Sequence, residues 1–132
     1  YGTSFAIPGL LSAGLPQDDI RIVRGRKFLL QQQLPDGGWG EHPDSCLERR
    51  PIPTPKSLVE ATALAVLALL GCGPKEDPSV RKGIEFLLQQ QQADGDFPPQ
   101  PIPGLFYRTT LIRYDHYKRA FPLKAFAKYL QK

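Results

Sequence analysis

Few side chains in this sequence are candidates for acid–base or nucleophilic chemistry. Asp18 and Asp19 form an acidic pair directly before a predicted helix. Carboxylates in that position accept hydrogen bonds from the free N–H groups of the first helical turn. We therefore predict helix capping or a solvated turn for this pair rather than acid catalysis, and we assign no catalytic residue within the chain.

Metal-ligating side chains occur close together at His42, Asp44 and Cys46. Their spacing matches no common zinc pattern, and the other histidine, His116, is far along the chain. We predict a surface histidine and a loop cysteine, with no metal and no other cofactor. Cys72 stands between two glycines, where we predict a buried thiol at a helix end.

The composition is that of an ordinary globular chain, with 132 residues, 41% hydrophobic and 23% charged. This length suits one domain, assigned to residues 1–132. The net charge of +4 is spread over several segments, so a nucleic-acid surface is not indicated. No apolar run approaches the roughly 18 residues that a spanning helix needs. The densest basic group lies on the last predicted helix, where we expect a solvated face: Lys118, Arg119, Lys124, Lys128 and Lys132.

A repeated pattern organises the chain: residues 24–39 recur as residues 82–97, displaced by 58 positions. Each copy has a basic residue and a glycine, a Phe-Leu pair, and then a glutamine, a glycine and an aromatic ring. The last three are Gln33, Gly37 and Trp39 in the first copy and Gln91, Gly95 and Phe97 in the second. Each copy predicts a helix that ends in a tight turn. The glutamine amide can bond backbone groups at helix ends and so fasten one helix to the next.

Helical patterns dominate the rest, and we predict an all-α fold of about five helices without convincing strands. Residues 57–70 are apolar except for one charge, Glu60, so this helix should be buried nearly all round. The first helix is expected near Phe5 to Ala13 and the last from about Pro122 to Gln131. Two proline clusters, at 51–55 and 98–103, indicate extended connections. The residues that recur near helical spacing are Ile20, Val23, Phe28, Leu30 and the aliphatic stem of Lys27 in the first copy, and Ile84, Leu87 and Leu88 in the second. On the last helix, Phe126, Tyr129 and Leu130 can face inward.

The repeated pattern resembles the QW motif of squalene-hopene cyclases and of oxidosqualene cyclases, the lanosterol and cycloartenol enzymes. The resemblance extends over nearly the whole chain. Residues 36–50 and 95–106 are closest to the oxidosqualene branch. Two further segments resemble the family's YGT segment and its carboxy-terminal YxxYRxxFP signature: Tyr1-Gly2-Thr3 and Tyr114-x-x-Tyr117-Lys118-x-x-Phe121-Pro122.

This resemblance implies an α/α toroid of paired inner and outer helices, a partial α/α6 barrel. It also implies that the chain is part of a longer protein, here called the parent, which is an isomerase of triterpenoid biosynthesis. In this family a buried aspartic acid protonates squalene or 2,3-oxidosqualene, and rings then close through carbocations. Aromatic faces attract such cations without offering a basic lone pair, and water must be excluded until the last step. The implied parent is a peripheral, monotopic enzyme on the cytoplasmic side of a membrane, and its partners are the triterpene substrate and the remainder of the cyclase chain.

The resemblance also assigns a pocket wall. Phe106, Tyr114 and Tyr117 match aromatic residues that line the cation pocket in the family. Two positions depart from the pattern: Ser4 stands where oxidosqualene cyclases carry Trp, and Thr110 stands where hopene cyclases carry Phe. Substrate branch and ring number therefore stay open.

The initiating acid of the family is absent, because its DxDD and DCTAE motifs both lie upstream of the YGT segment. The chain begins at Tyr1 and contains no Met, so we expect a soluble piece of a longer protein that is inactive alone. As an arc of a ring it should expose apolar surface along residues 57–70 and self-associate. The alternative is a non-catalytic toroid-repeat module that binds lipid or protein.

Overall fold

Helices make up most of the chain in this computed structural model. The structure describes residues 1–101, 104–106, 110–112 and 114–131, with the backbone alone at 104–106 and 110–112. The predicted all-α class is confirmed. One helix that was not predicted is the single turn α3 (Ser45–Glu48). The helices in the described part are α1 (Gly2–Ser12), α2 (Ile20–Gln31), α3 (Ser45–Glu48), α4 (Val59–Cys72), α5 (Pro78–Gln90) and α6 (Tyr117–Leu130).

Helix α4 is the centre of the core, and its predicted burial is confirmed by residues such as Ala63, Val66 and Leu69, each at most 1% exposed. Each fully buried Leu or Val contributes about 1.5–3 kcal/mol to folding. Helices α1 and α6 pack on α4 to form an inner layer; α2 lies against α1 and α4, and α5 against α4 and α6. The expectation that residues 57–70 expose apolar surface is therefore wrong, because helices of the same chain cover them.

The outer helices α2 and α5 begin and pack alike. Asp19 accepts a hydrogen bond from the Arg21 amide at 2.9 Å, and Asp77 accepts one from the Ser79 amide at the same distance. The predicted capping role of Asp19 is confirmed. The buried faces are built from matched pairs 58 positions apart: Ile22 and Val80, Leu29 and Leu87.

Some of the apolar residues at helical spacing in α2 and α5 lie outside the core. Ile20, Val23 and Leu88 are 57%, 45% and 55% exposed. Apolar residues occur on both sides of each helix, so spacing alone did not identify the buried side. The packing selects the side that carries the small residues Gly25 and Gly83. A side chain at Gly25 would meet Ile7 of α1, and one at Gly83 would meet Val66 of α4.

Two short antiparallel strand pairs correct the prediction of no strands. Strand β1 (Trp39–Glu41) pairs with β2 (Pro53–Leu58), with Trp39 opposite Leu58, and β3 (Gly104–Phe106) pairs with β4 (Thr110–Ile112). These strands lack the alternation of apolar and polar residues that would announce them. One strand of each pair lies within or directly after a proline-rich connection, β2 at the first and β3 at the second, and proline favours extended backbone there.

The first and last helices start earlier than predicted, at Gly2 and Tyr117, with Pro8 and Pro122 inside them. Each proline removes one helical hydrogen bond, but Pro122 is fully buried, so its packing offsets the loss. Leu130 is 76% exposed, and its predicted inward position is wrong.

Candidate functional site

Five aromatic rings form a continuous row where α1 and α6 begin. The ring centroids of Tyr1 and Phe5 are 5.2 Å apart, and those of Phe5 and Phe121 are 6.1 Å apart. From Phe121 the row continues to Tyr117 at 4.8 Å and then to Tyr114 at 4.9 Å. These separations are those of favourable aromatic pairs. We call these five residues the aromatic strip.

Helical spacing and the central helix position the strip. Tyr117 and Phe121 are four residues apart on α6, so their side chains share one face. Tyr1 and Phe5 have the same spacing across the N-cap and first turn of α1. Because α1 and α6 both pack on α4, residues from the two ends of the sequence meet.

The aromatic strip is open on one side: Tyr1, Phe5 and Tyr114 are 39%, 46% and 52% exposed. Neighbouring exposed rings make an apolar surface of the kind that ligands or other protein segments cover. Ring faces carry negative electrostatic potential, so such a surface attracts a cation while offering it no basic atom.

The hydroxyl of Tyr1 lies close to groups from α4 and α6. Burial raises the pKa of this hydroxyl, and the proximity of Tyr117, Glu60 and Tyr114 raises it further. Glu60 lies in the first turn of α4 and is 2% exposed. The Tyr1 hydroxyl therefore keeps its proton throughout the ordinary pH range.

Ser4 lies beside the strip in a small cavity of about 50 Å³. Its side chain is buried, at 4% exposure, and the cavity is also lined by Tyr1, Phe28, Trp39 and Ala65. That volume accommodates about one or two water molecules and is far too small for a triterpene. The cavity is thus a local gap next to the strip, where a larger side chain at position 4 would sit.

The structure brings some of the sequence-predicted wall residues together. Tyr114 and Tyr117 are in ring contact. Phe106 and Thr110 are opposite each other in the β3–β4 pair, but their side chains lie outside the described residues. The pocket roles of all four, and of Ser4, stay predictions.

Sequence reasoning missed Tyr1, Phe5 and Phe121 as members of the strip. The i, i+4 spacing of Tyr117 and Phe121 is the signal that was available. No local signal links Phe5 to Phe121, because their contact depends on how α1 and α6 pack against α4.

The first repeat ends in a partly buried turn that fastens α2 to α5. The Gln33 amide donates to the Gly37 carbonyl at 2.8 Å and to the Ser79 carbonyl of α5 at 2.9 Å, which confirms the predicted link between helices. Trp39 is 4% exposed, and its indole N–H donates to the Leu29 carbonyl of α2 at 2.7 Å. The Trp39 ring packs on Gly83, where an added Cβ would come within 2.9 Å of it.

Asp36 closes the same turn from the other side. Its carboxylate accepts hydrogen bonds from the Ser57 hydroxyl and amide and from the Gly38 amide. Burial is the largest single influence and acts to raise the pKa of Asp36, but these hydrogen bonds together outweigh it and leave that pKa below its ordinary value. The carboxylate thereby holds the turn against the end of β2, just before α4 begins.

The second repeat has the same turn with different partners. Gln91 is exposed, and its amide donates to the Gly95 carbonyl at 3.1 Å. Phe97 is 1% exposed and belongs to the core. Gly37 and Gly95 both have positive φ, 89° and 84°, which glycine adopts without strain.

Other candidate groups have structural explanations. Cys72 ends α4 as predicted, and burial raises the pKa of its thiol, which is unfavourable for reactivity. Within the described residues no group of histidine, cysteine and acidic side chains is arranged to hold a metal ion. In that same part of the chain, no helix has the length and apolar character to cross a bilayer.

Comparison with known proteins gives matches along the whole chain. The family model of the squalene-hopene cyclase C-terminal domain matches residues 1–131. Protostadienol synthase A of Arthroderma gypseum is 37% identical over the full chain, and the lanosterol synthase of Candida albicans is 36% identical over the full chain. The squalene–hopene cyclase of Zymomonas mobilis is 37% identical over 98% of the chain. The chain spans 18% of the length of the first two relatives and 20% of the third.

Proposed function

The chain belongs to the family of the squalene-hopene cyclase C-terminal domain, and from this we propose that it forms part of the pocket wall of a triterpene cyclase. The parent protein would cyclise squalene or 2,3-oxidosqualene through carbocation intermediates. The initiating acid would come from a part of the parent outside these 132 residues. The observation that carries the proposal is the aromatic strip.

The strip suits a carbocation cascade for a specific chemical reason. A carboxylate or an amine beside a carbocation would capture it or remove its proton, whereas a ring face attracts it without bonding. Five contiguous rings, open along one side, offer this attraction over an extended path. The open side is where the substrate and the remainder of the cyclase would lie.

The wall residues have distinct proposed roles. Tyr114 and Tyr117 would face the developing cation as part of the strip, and Phe106 would extend the wall from the β3–β4 pair. Ser4 and Thr110 would shape the pocket by the space that they leave, because both are smaller than the aromatic residue of one or other branch. These two positions therefore bear on which ring closure ends the cascade.

The proposed parent acts on a membrane-dissolved substrate, so we propose that it works at a membrane surface through segments outside this chain. Flotation of the chain with liposomes tests that assignment. Absence of binding is expected, and strong binding by the chain alone would contradict it.

The test of the proposed function is product analysis of the full-length protein that contains this chain. The purified protein is incubated separately with squalene and with 2,3-oxidosqualene, and the hydrocarbon extract is analysed by gas chromatography and mass spectrometry. We expect polycyclic triterpene products from one of the two substrates. Recovery of both substrates unchanged by folded, full-length protein would contradict the proposal and favour a non-catalytic module.

A further inference from the structure

Three consecutive residues at the start of α6 point in different directions. Tyr117 contacts Tyr114 and Phe121 within the aromatic strip. The next two residues, Lys118 and Arg119, instead reach the turn of the second repeat. Since successive helical residues are about 100° apart, Arg119 lies on nearly the opposite side of α6 from Tyr117.

Asp96 in that turn receives both cations. The Arg119 guanidinium donates two hydrogen bonds to its carboxylate, Nε to Oδ1 at 2.9 Å and Nη2 to Oδ2 at 2.7 Å. The Lys118 ammonium donates to Oδ2 at 3.2 Å. Forked binding of this kind fixes orientation as well as distance. These contacts and the amide of Phe97 hold the pKa of Asp96 well below its ordinary range, with the Arg119 hydrogen bonds the largest influence.

The contacts that join α6 to this turn, which we call the tie, also reach the hydrophobic core. The Lys118 ammonium also donates to the Phe97 carbonyl at 2.7 Å, and its side chain is only 12% exposed. Phe97 itself is 1% exposed. The start of α6 is therefore fixed to a turn that is itself anchored by a buried ring. The prediction that the basic residues of this helix face solvent is therefore wrong for Lys118.

The position of Asp96 in the repeat makes this tie specific to the second copy. Its counterpart 58 residues earlier is Gly38, where an added Cβ would come within 2.5 Å of Ser57 and 2.6 Å of the Thr62 hydroxyl. The first turn has no room for a side chain at this place. In the second turn the same backbone position directs a carboxylate at α6.

We propose that Asp96 is a positioning residue for the aromatic strip, because it fixes the start of α6 and holds two cations away from the Tyr117 face. The importance of this role for cyclisation rests on the proposed function. Removal of the Asp96 charge has two consequences. The first turn of α6, which carries Tyr117, loses its anchor. Lys118 and Arg119 also lose the carboxylate that both bind, and although Asp115 and Asp94 remain near Arg119, the less compensated positive charge opposes any cation bound at the neighbouring rings.

The first arm of the test examines the isolated chain and does not depend on its function. Asp96→Asn is compared with wild type by NMR with tyrosine-ring and amide labelling. We expect weaker cross-peaks between the Tyr117 and Phe121 rings. We also expect about three- to tenfold faster exchange of the Ala120 amide, which donates to the His116 carbonyl at 2.8 Å. Ring contacts and exchange identical to wild type would overturn the proposal.

A matched control is available in the same turn. Asp94 accepts a hydrogen bond from the Asp96 amide at 3.0 Å, and asparagine can accept that bond as well. Asp94→Asn therefore removes one charge two residues away while the turn is kept. It should leave the Tyr117 contacts unchanged, and Asp96→Glu should restore them in part. Equal effects of Asp94→Asn and Asp96→Asn would show a general charge effect and would overturn the proposal.

The single tryptophan reports whether the rest of the fold is intact, because Trp39 is buried in the first repeat. Its emission should stay as in wild type for Asp96→Asn. If that variant unfolds, Arg119→Gln is measured instead, since it removes the two-pronged bond but leaves Lys118 bound to Asp96. Loss of the Tyr117 contacts with unchanged Trp39 emission then supports the proposal, and retention of these contacts overturns it.

The second arm uses the full-length protein and separates this inference from the proposed function. Asp96→Asn should increase the share of incompletely cyclised products about two- to tenfold, and Asp94→Asn should leave the product pattern unchanged. A changed ring geometry with an unchanged product pattern would overturn the role in cyclisation while the structural tie stands. Absence of any cyclised product from wild-type protein would instead mean that the proposed function itself has failed.

Discussion

The two repeats share one turn but differ in what holds the turn in place. In both, the glycine amide donates three residues back, Gly37 to Leu34 and Gly95 to Gln92, at 2.9 Å. The first turn is partly buried and is held by the neutral contacts of Gln33 and Trp39 with the outer helices and by hydrogen bonds from Ser57 and Gly38 to the Asp36 carboxylate. The second is more exposed and held to α6 by the ion pairs of Asp96.

The repeat thus fixes a backbone shape, while its few variable positions select the partner. Gly38 lets the first turn lie flat against Thr62 and Ser57, and Asp96 at the matching place reaches α6. Hydrogen bonds between or to neutral groups are insensitive to salt, whereas an exposed ion pair is screened by it. The two halves of the molecule should therefore respond differently to mutation and to solvent.

The largest expected effect is the loss of the Trp39 ring. Trp39→Ala should lower the free energy of unfolding by about 3–5 kcal/mol, because it opens a cavity beside Gly83 and removes the indole bond to Leu29. Trp39→Phe, which imitates the second repeat, keeps most of the packing and should cost about 1–2 kcal/mol. Urea unfolding followed by circular dichroism measures both. Equal costs for the two variants would show that the ring packing is unimportant.

Alanine substitutions at the two turn glycines should lower the free energy of unfolding by smaller and unequal amounts. Gly95→Ala costs about 1 kcal/mol, because alanine is strained at positive φ. Gly37→Ala should cost about 2–3 kcal/mol, since its Cβ would also press on the Lys82 carbonyl at 3.0 Å. Thermal and urea unfolding of the pair give the comparison. A Gly95 variant that is destabilised as much as the Gly37 variant would contradict the difference in packing.

The two repeat glutamines should also differ in their contribution to stability. Gln33→Ala should cost about 1–2 kcal/mol, because it removes the bond that joins α2 to the Ser79 carbonyl of α5. Gln91→Ala removes an exposed bond within its own turn and should cost less than about 0.5 kcal/mol. The same unfolding assay applies. The idea that the first repeat carries the interhelical link is wrong if Gln91→Ala proves the more costly.

The smallest expected effect is the response of the second turn to acid and salt. The pKa of Asp96 is lowered in the folded chain, so its stabilising contribution is complete above the ordinary aspartate pKa of about 3.9 and is lost as the pH falls toward the lowered value. Exchange of the α6 amides should accelerate in that window and also in about 1 M salt. The Trp39 emission should not change with salt. Equal salt sensitivity in both repeats would remove the distinction.

Much of the fold was readable from residue types. The repeat spacing predicted the two helix-and-turn units, and the apolar run of residues 57–70 predicted the buried α4. The expected link from Gln33 to the next helix is present, but its acceptor is the Ser79 carbonyl in the first turn of α5 rather than a free group at a helix end. The family resemblance gave the toroid class, which the structure confirms.

Other features could not be read locally. The strand pairs depend on contacts between proline-rich segments rather than on an alternating pattern. The buried side of α2 depends on the close approach of α1 to Gly25, and Ile20 and Val23 therefore face outward. The aromatic strip joins residues at opposite ends of the sequence, so only the packing on α4 reveals it.

The aromatic strip as a cation-facing wall is tested most directly at Tyr117 in the full-length protein. Tyr117→Phe keeps the ring face, and Tyr117→Leu replaces it with a side chain that has no π-system. Because a cation over a ring gains about 0.5–2 kcal/mol, Tyr117→Leu should raise the share of incompletely cyclised products roughly two- to thirtyfold, measured by gas chromatography and mass spectrometry. Tyr117→Phe should keep the wild-type product pattern. Identical product patterns for the Leu variant and wild type would contradict the proposed wall.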